Sequence, residues 1–225
     1  MLANLSDRPQ DRSERDELIF MDEIRRKMLH LVALFIPIGI FWLGKRMALG
    51  WLIPITLLAI SADLLRVRAV WFNQIIGRIF GPLMRKKELP PVGDPVAING
   101  ATWILVSATM LTLIFPVYIA CSALGMFMLA DAAAALVGRR LGRHYWGSGP
   151  RTFEGSLAFF AVWLIALPWI PGITFIEGMV GGTAAVVAEA IPLRLNDNVF
   201  VPMIAAISLA LIQHFVFGKE IALFL

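Results

Sequence analysis

Cysteine is almost missing. Cys121 is the one cysteine in 225 residues, so an intramolecular disulfide framework is excluded and the residue reads as helix packing. Charge is scarce too: Asp, Glu, Lys and Arg make up 16% of the chain against 59% apolar residues, with a mean hydropathy of +0.76. A soluble domain of this length has too little interior to hide that much apolar surface, which leaves the polytopic membrane class. No GxxxxGK[ST] loop and no protein-kinase HRD loop occurs, so the usual soluble nucleotide folds have no support. In place of the short basic region of a secretory signal stands a long mixed-charge tail. Its Asp and Glu content also argues against an organellar transit peptide, and a bacterial inner membrane is the simplest location. The net charge of +4 comes without a soluble recognition module, which makes nucleic acid a poor partner.

What the chain does have is apolar runs. They extend from Leu29 to Gly44, Met47 to Leu65, Ile98 to Phe115, Val117 to Val137, Ser156 to Pro171, Phe175 to Pro192 and Val199 to Phe217. At about 1.5 Å per residue each approaches the roughly 30 Å of a hydrocarbon core, which predicts an all-α protein of about seven transmembrane helices. Residues 1–22 form a polar tail and 23–225 a single membrane domain. Pro37, Pro54, Pro168 and Pro171 are expected to kink or end helices. Between the second and third runs, Val67, Val70, Trp71, Phe72, Ile75, Ile76, Ile79, Phe80 and Leu83 recur at helical spacing, with Arg78 and Arg85 to Lys87 supplying charge, as in an interfacial amphipathic helix.

Of the 20 basic residues, all but Lys45, Arg46 and Lys219 fall on one side of this topology. The positive-inside rule then puts the amino terminus in the cytoplasm and the carboxyl terminus outside. Gly178 and Gly182 form a GxxxG pair suited to close helix contact, within one chain or between two, so an oligomer stays open.

The polar residues gather at the cytoplasmic ends. Glu23, Arg26, Lys27 and His30 share one helix face at i, i+3, i+4 and i+7. Asp63, Arg66, Asn99, Thr102, Asp131, Arg139, Arg151, Glu154, Glu189 and Asn196 to Asn198 fall at the same level. Taken singly, most have a plain reading: Glu23 and Lys27 as an i,i+4 pair, Arg139 and Arg140 as topology determinants, Asp63 and Arg66 as an ion pair, Asn196 to Asn198 as a turn. Asp131 and Glu189 differ, because a carboxylate within an apolar helix is costly unless it has a partner or a purpose.

Carboxylates converging on basic side chains suit a divalent cation with a polyphosphate: hard oxygens hold the ion, and Arg and Lys neutralise phosphate. The chemistry implied is phosphoryl or nucleotidyl transfer to a lipid. A small cation-coupled transporter would also use buried acids and broken helices, but it needs polar residues at both faces and commonly shows an inverted repeat. Neither feature is visible here.

The segments Glu23 to His30, Arg85 to Glu88, Asn99 to Trp103, Asp131 to Arg139, Arg151 to Ser156, and Glu189 with Asn196 to Asn198 resemble, in order, the motifs of the dolichol, phytol and CTP-dependent diacylglycerol kinase family, which is related to the phosphatidate cytidylyltransferases. The resemblance covers nearly all the chain after Glu23. It implies transfer of the terminal phosphoryl group of CTP, or another nucleoside triphosphate, to the hydroxyl of a membrane lipid alcohol, with Mg²⁺ required. By matching positions, Asp131, Glu189 and Asp197 become the metal and catalytic candidates. Arg139, Arg151 and Thr152 would hold the triphosphate, Asn99, Thr102 and Asn198 would assist, and Glu23, Lys27 and His30 would complete the mouth. Either Asp131, Asp197 or His30 would accept the alcohol proton. A related cytidylyltransferase would use the same nucleotide and metal but attack the α-phosphorus. One departure stands out: the family commonly has Lys-Thr where this chain has Arg151-Thr152, which keeps the charge but changes hydrogen-bond geometry.

Overall fold

The computed structural model describes residues 21, 24–81, 84, 88–147, 149, 151–191 and 195–224. Residues 1–20 of the polar tail, Glu23, Arg85 to Lys87 and Arg194 lie outside the described residues. Helix α1 covers residues 24–32, followed by α2 (Phe35–Arg66), α3 (Val70–Phe80), α4 (Gly100–Ile114), α5 (Val117–Leu141), α6 (Phe153–Ala166) with a 3₁₀ turn at Leu167–Trp169, α7 (Phe175–Ala190) and α8 (Asp197–Phe215). Among the described residues there is no strand, only an isolated bridge between Tyr145 and Thr152. By length and composition, Ile24–Arg66, Val117–Leu141 and Asp197–Phe215 can cross a membrane, and Gly100–Ile114 and Phe153–Trp169 are shorter apolar helices.

The 43 residues of Ile24–Arg66 would measure about 64 Å if straight, twice a hydrocarbon core. They are not straight. Gly44 has φ 71° and ψ 168°, a region essentially reserved for glycine, and it divides α2 into arms 35–43 and 45–66. Lys27, before the first arm, and Asp63, late in the second, line one cavity, whereas Lys45 just past the break reaches the Phe115 carbonyl at the α4–α5 junction. The chain therefore runs away from the cavity, turns at Gly44 and comes back. Thr56 bonds Thr109 midway along the return (2.8 Å). Of the prolines expected to kink or end helices, Pro37 and Pro54 lie inside α2, whose sharp turn is at Gly44, while Pro168 and Pro171 stand where α6 gives way to its 3₁₀ turn and stops.

The later helices continue the alternation. Ser156 meets Glu189 near the cavity end, and Trp163 Nε1 donates to the Gly178 carbonyl farther along the α6–α7 pair. Tyr118 donates to Gln213 at the other end (2.7 Å), where the Phe224 amide bonds the Ile114 carbonyl. The core is apolar and centred on α5, with Ile119, Leu124, Phe127 and Met128 buried against Phe159, Trp163 and Leu209. The GxxxG pair is used within the chain. A Cβ on Gly182 would stand 2.6 Å from Trp163 Cδ1, so glycine is what lets α6 and α7 touch. Outside, Trp42, Phe35, Leu58 and Phe215 are among many exposed large apolar residues, Trp42 at 82%. Such a surface belongs in lipid rather than water, and the protein is a membrane protein. Helix α3 is present where an amphipathic helix is expected, and none of its residues is buried.

Candidate active site

At the end of the bundle where α2, α5 and α7 finish and α4, α6 and α8 begin, polar side chains form three connected clusters. The first joins α1 to α5. Because Lys27 and His30 are three apart on one helix face, both reach α5: Lys27 Nζ donates to Asp131 Oδ2, and His30 Nε2 lies 3.5 Å from the same oxygen. Lys27 and His30 are each more than nine-tenths buried, and the His30 ring meets Phe127 edge-on at 5.8 Å. His30 Nε2 has no hydrogen-bond partner among the described residues.

The second cluster is built on Arg151. Residues 144–146 pair with 151–153, the Phe153 amide donating to the His144 carbonyl and the Trp146 amide to that of Arg151, which presents Arg151 at the start of α6. Its guanidinium then ties three elements together. One nitrogen donates to both Asp197 oxygens (2.7 and 2.8 Å), another to the Ile191 carbonyl (2.6 Å), and Nε lies 3.6 Å from Glu189 Oε1. Ser156, one turn beyond the Thr152 cap, donates to Glu189 and accepts from Trp146 Nε1.

Asp63 is the hub of the third. It accepts from the Asn99 amide (3.0 Å), the Asn99 side chain and the Thr102 hydroxyl (2.8 Å), and pairs with Arg66, which also donates to the Ala97 carbonyl. Asp63 and Arg66 are almost fully buried.

Three residues expected near the nucleotide also anchor helices. Asn99 caps α4 by accepting from the Thr102 amide, Thr152 caps α6 by accepting from the Gly155 amide, and Asn198 holds α8 to α4 through the Gly100 carbonyl (3.3 Å). Glu154 turns aside to His144, away from both cavities described next. Asp63 as a hub, and the Ser156–Trp146 relay, went unrecognised in the sequence. Asp63 and Asn99 are 36 residues apart, beyond any local pattern. Ser156 could have been found from its position one turn after Thr152.

Two adjoining cavities open on these clusters. The larger, about 1060 Å³, is lined by His30, Asp63, Arg66, Asn99, Thr102 and Asp197 and by apolar side chains of α1–α4. The smaller, about 200 Å³, is lined by Gly138, Arg139, Thr152, Ser156 and Glu189. Arg26, Lys27, Asp131 and Arg151 belong to both and form the shared wall. Among the described residues no three His, Cys, Asp or Glu side chains cluster closely enough to hold a metal ion by themselves. Asp131 and Glu189 still offer two carboxylates to the smaller cavity, each now facing a cation. That donor set fits Mg²⁺, which takes one or two carboxylates and completes its shell with phosphate and water. Asp197 meets Arg151 but lines only the larger cavity.

No family model and no solved structure matches the chain. Among curated proteins it is 25% identical over 220 residues to the CTP-dependent diacylglycerol kinase 1 of Saccharomyces cerevisiae, an alignment covering 85% of this chain and 73% of that one. It is 22% identical over 200 residues to an uncharacterized protein of Rickettsia prowazekii, covering 85% of this chain and 95% of the other. The similarity to a lipid kinase therefore extends over most of the chain and supports the kinase family whose motifs the sequence resembles, and Lys27, His30, Asn99, Asp131, Arg139, Arg151, Glu189 and Asp197 of those motifs line the two cavities at one end of the helical bundle.

Proposed function

We propose that this protein is an integral-membrane lipid-alcohol kinase that moves the terminal phosphoryl group of CTP to the hydroxyl of a membrane lipid. The observation that carries the reading is the shared wall of Lys27, Asp131 and Arg151, where paired cations and carboxylates stand between a small polar cavity and a large amphipathic one. Similarity to a CTP-dependent diacylglycerol kinase supports both the nucleotide and diacylglycerol as the first acceptor to try. The motif resemblance adds phytol, polyprenol and dolichol.

On this reading Lys27 and Arg151 release their carboxylates when nucleotide arrives and turn to phosphate oxygens, charge for charge. Asp131 and Glu189 would hold Mg²⁺, which when bound neutralises charge on the triphosphate. Arg139, on the smaller cavity, adds a further cation. The lipid oxygen bonds to the γ-phosphorus as the bond from that phosphorus to the bridging oxygen breaks, CDP leaves, and the hydroxyl proton passes to His30 or Asp131. A loose phosphoryl-transfer transition state needs positioning and charge stabilisation more than covalent help, and these side chains supply both.

The path of the chain supports seven crossings: 24–43, 45–66, α4, α5, α6 with its 3₁₀ turn, α7 and α8. Helix α3 would lie in the interface. With the basic loops inside, the site faces the cytoplasm, as in a bacterial inner membrane.

Purified protein with Mg²⁺, a panel of lipid alcohols and phosphatidic acid, and CTP labelled at either the α- or the γ-phosphorus tests the reading. Lipid labelled only from the γ-position is expected. Label from the α-position would mean cytidylyl transfer instead, and UTP and ATP in parallel measure nucleotide preference.

A further inference from the structure

The two cavities divide the site. Gly138, Arg139, Thr152 and Glu189 line only the smaller, where small residues and charge suit phosphate. His30 lines only the larger, with a buried Nε2 that lacks a hydrogen-bond partner among the described residues. From His30 the wall of the larger cavity becomes apolar: Ala33 and Ile36 on the outgoing limb, Ala59 and Ala62 on the returning arm of α2, and Ile76 and Phe80 on α3. Helix α3 has a second apolar surface, because Val70, Trp71, Ile75 and Ile79 are exposed. A helix with no buried residue and apolar side chains on both sides is unfavourable in water. It is well placed if one side meets membrane lipid and the other a lipid tail.

We propose that the larger cavity is the acceptor compartment, with the lipid alcohol's tail lying between the two arms of α2 under α3 and its hydroxyl beside His30 and Asp131. The inference rests on the kinase reading and assigns the acceptor a place separate from the nucleotide. The alanines at 33, 59 and 62 set the width of the groove.

Two measurements on the full chain in lipid nanodiscs test it. The first is steady-state kinetics of Ala59→Phe and Ala33→Phe with γ-labelled CTP. Overfilling the groove should raise KM for the lipid alcohol by about tenfold and leave that for CTP within about twofold. An equal rise in both, or in neither, overturns the inference while the kinase reading stands. The second uses unmodified protein and a long-chain alcohol carrying a diazirine in its tail, crosslinked by light and mapped by mass spectrometry. Labelling within 33–36, 59–62 and 76–80, competed by unlabelled alcohol, is expected. Labelling elsewhere overturns the assignment even if both variants fail to fold. Groove labelling by a protein that transfers no phosphoryl group would uphold the compartment and overturn the kinase reading.

Discussion

Asp131 carries the most at the scale of single residues, because Lys27 and His30 both converge on one of its oxygens. Its side chain is 22% exposed and that of Lys27 9%, and asparagine would keep a carbonyl oxygen to accept from the Lys27 ammonium. Asp131→Asn is expected to insert and purify normally yet lose phosphoryl transfer by about 10²–10³-fold; near-normal turnover in the γ-label assay would remove its assigned role. Arg151 offers a graded test. Lysine cannot reproduce one guanidinium serving Asp197, Glu189 and the Ile191 carbonyl together, but it keeps the charge and matches the family's usual residue. R151K should remain active with a raised KM for CTP, whereas R151Q, losing charge-assisted bonds, should fall about 10–100-fold in kcat/KM. Equal activity of the two variants would mean that Arg151 only fastens α6 to α8.

Among the elements, two glycines hold the helices in place for different reasons. At Gly44 there is open space, and a Cβ would meet nothing within 4 Å; the constraint is the backbone at φ 71°. Gly44→Val should therefore lower stability by about 1–3 kcal/mol, visible as a reduced melting temperature in detergent, while KM for CTP is unchanged. Gly182 faces the opposite constraint, ordinary helical backbone with Trp163 at contact. Gly182→Leu pushes α7 from α6, and those helices carry Glu189 and Arg151, so stability and activity should fall together. Gly50→Ala, in α2 with nothing near its Cβ, is the control and should be neutral or stabilising by about 0.5–1 kcal/mol. Pro54 lies within α2 without ending it, while Pro168 and Pro171 stand where α6 gives way to a 3₁₀ turn and stops.

For the whole molecule, the decisive question is which end faces the cytoplasm. Lys45 sits at the end remote from the cavities, bonded to the Phe115 carbonyl, while Arg140 is exposed near the cavity end. In a Cys121→Ala background, Lys45→Cys in intact cells should react with a membrane-impermeant maleimide and Arg140→Cys should react only after the cells are opened. The reverse pattern would invert the orientation and move the site outside. The fold class and the division into apolar runs were legible in the sequence, and so was the gathering of Asp131, Glu189, Lys27 and His30 at one end, because alternating helices return every second run to the same side.

What the sequence determined by itself is the kind of protein and the level at which its polar residues stand: 59% apolar content forces helices into a low-dielectric setting, and the scarce charges collect at their ends. Which of those residues touch was decided only by tertiary structure. Helices apolar on every side carry no signal for how they are rotated, so nothing local shows that Lys27 pairs with Asp131, 104 residues away, or that Asn99 and Thr102 serve Asp63. Packing settled that. The fit of Gly182 against Trp163 and the turn at Gly44 fix the rotation and register of the helices, and from these follow the wall of Lys27, Asp131 and Arg151 and the two cavities on its sides.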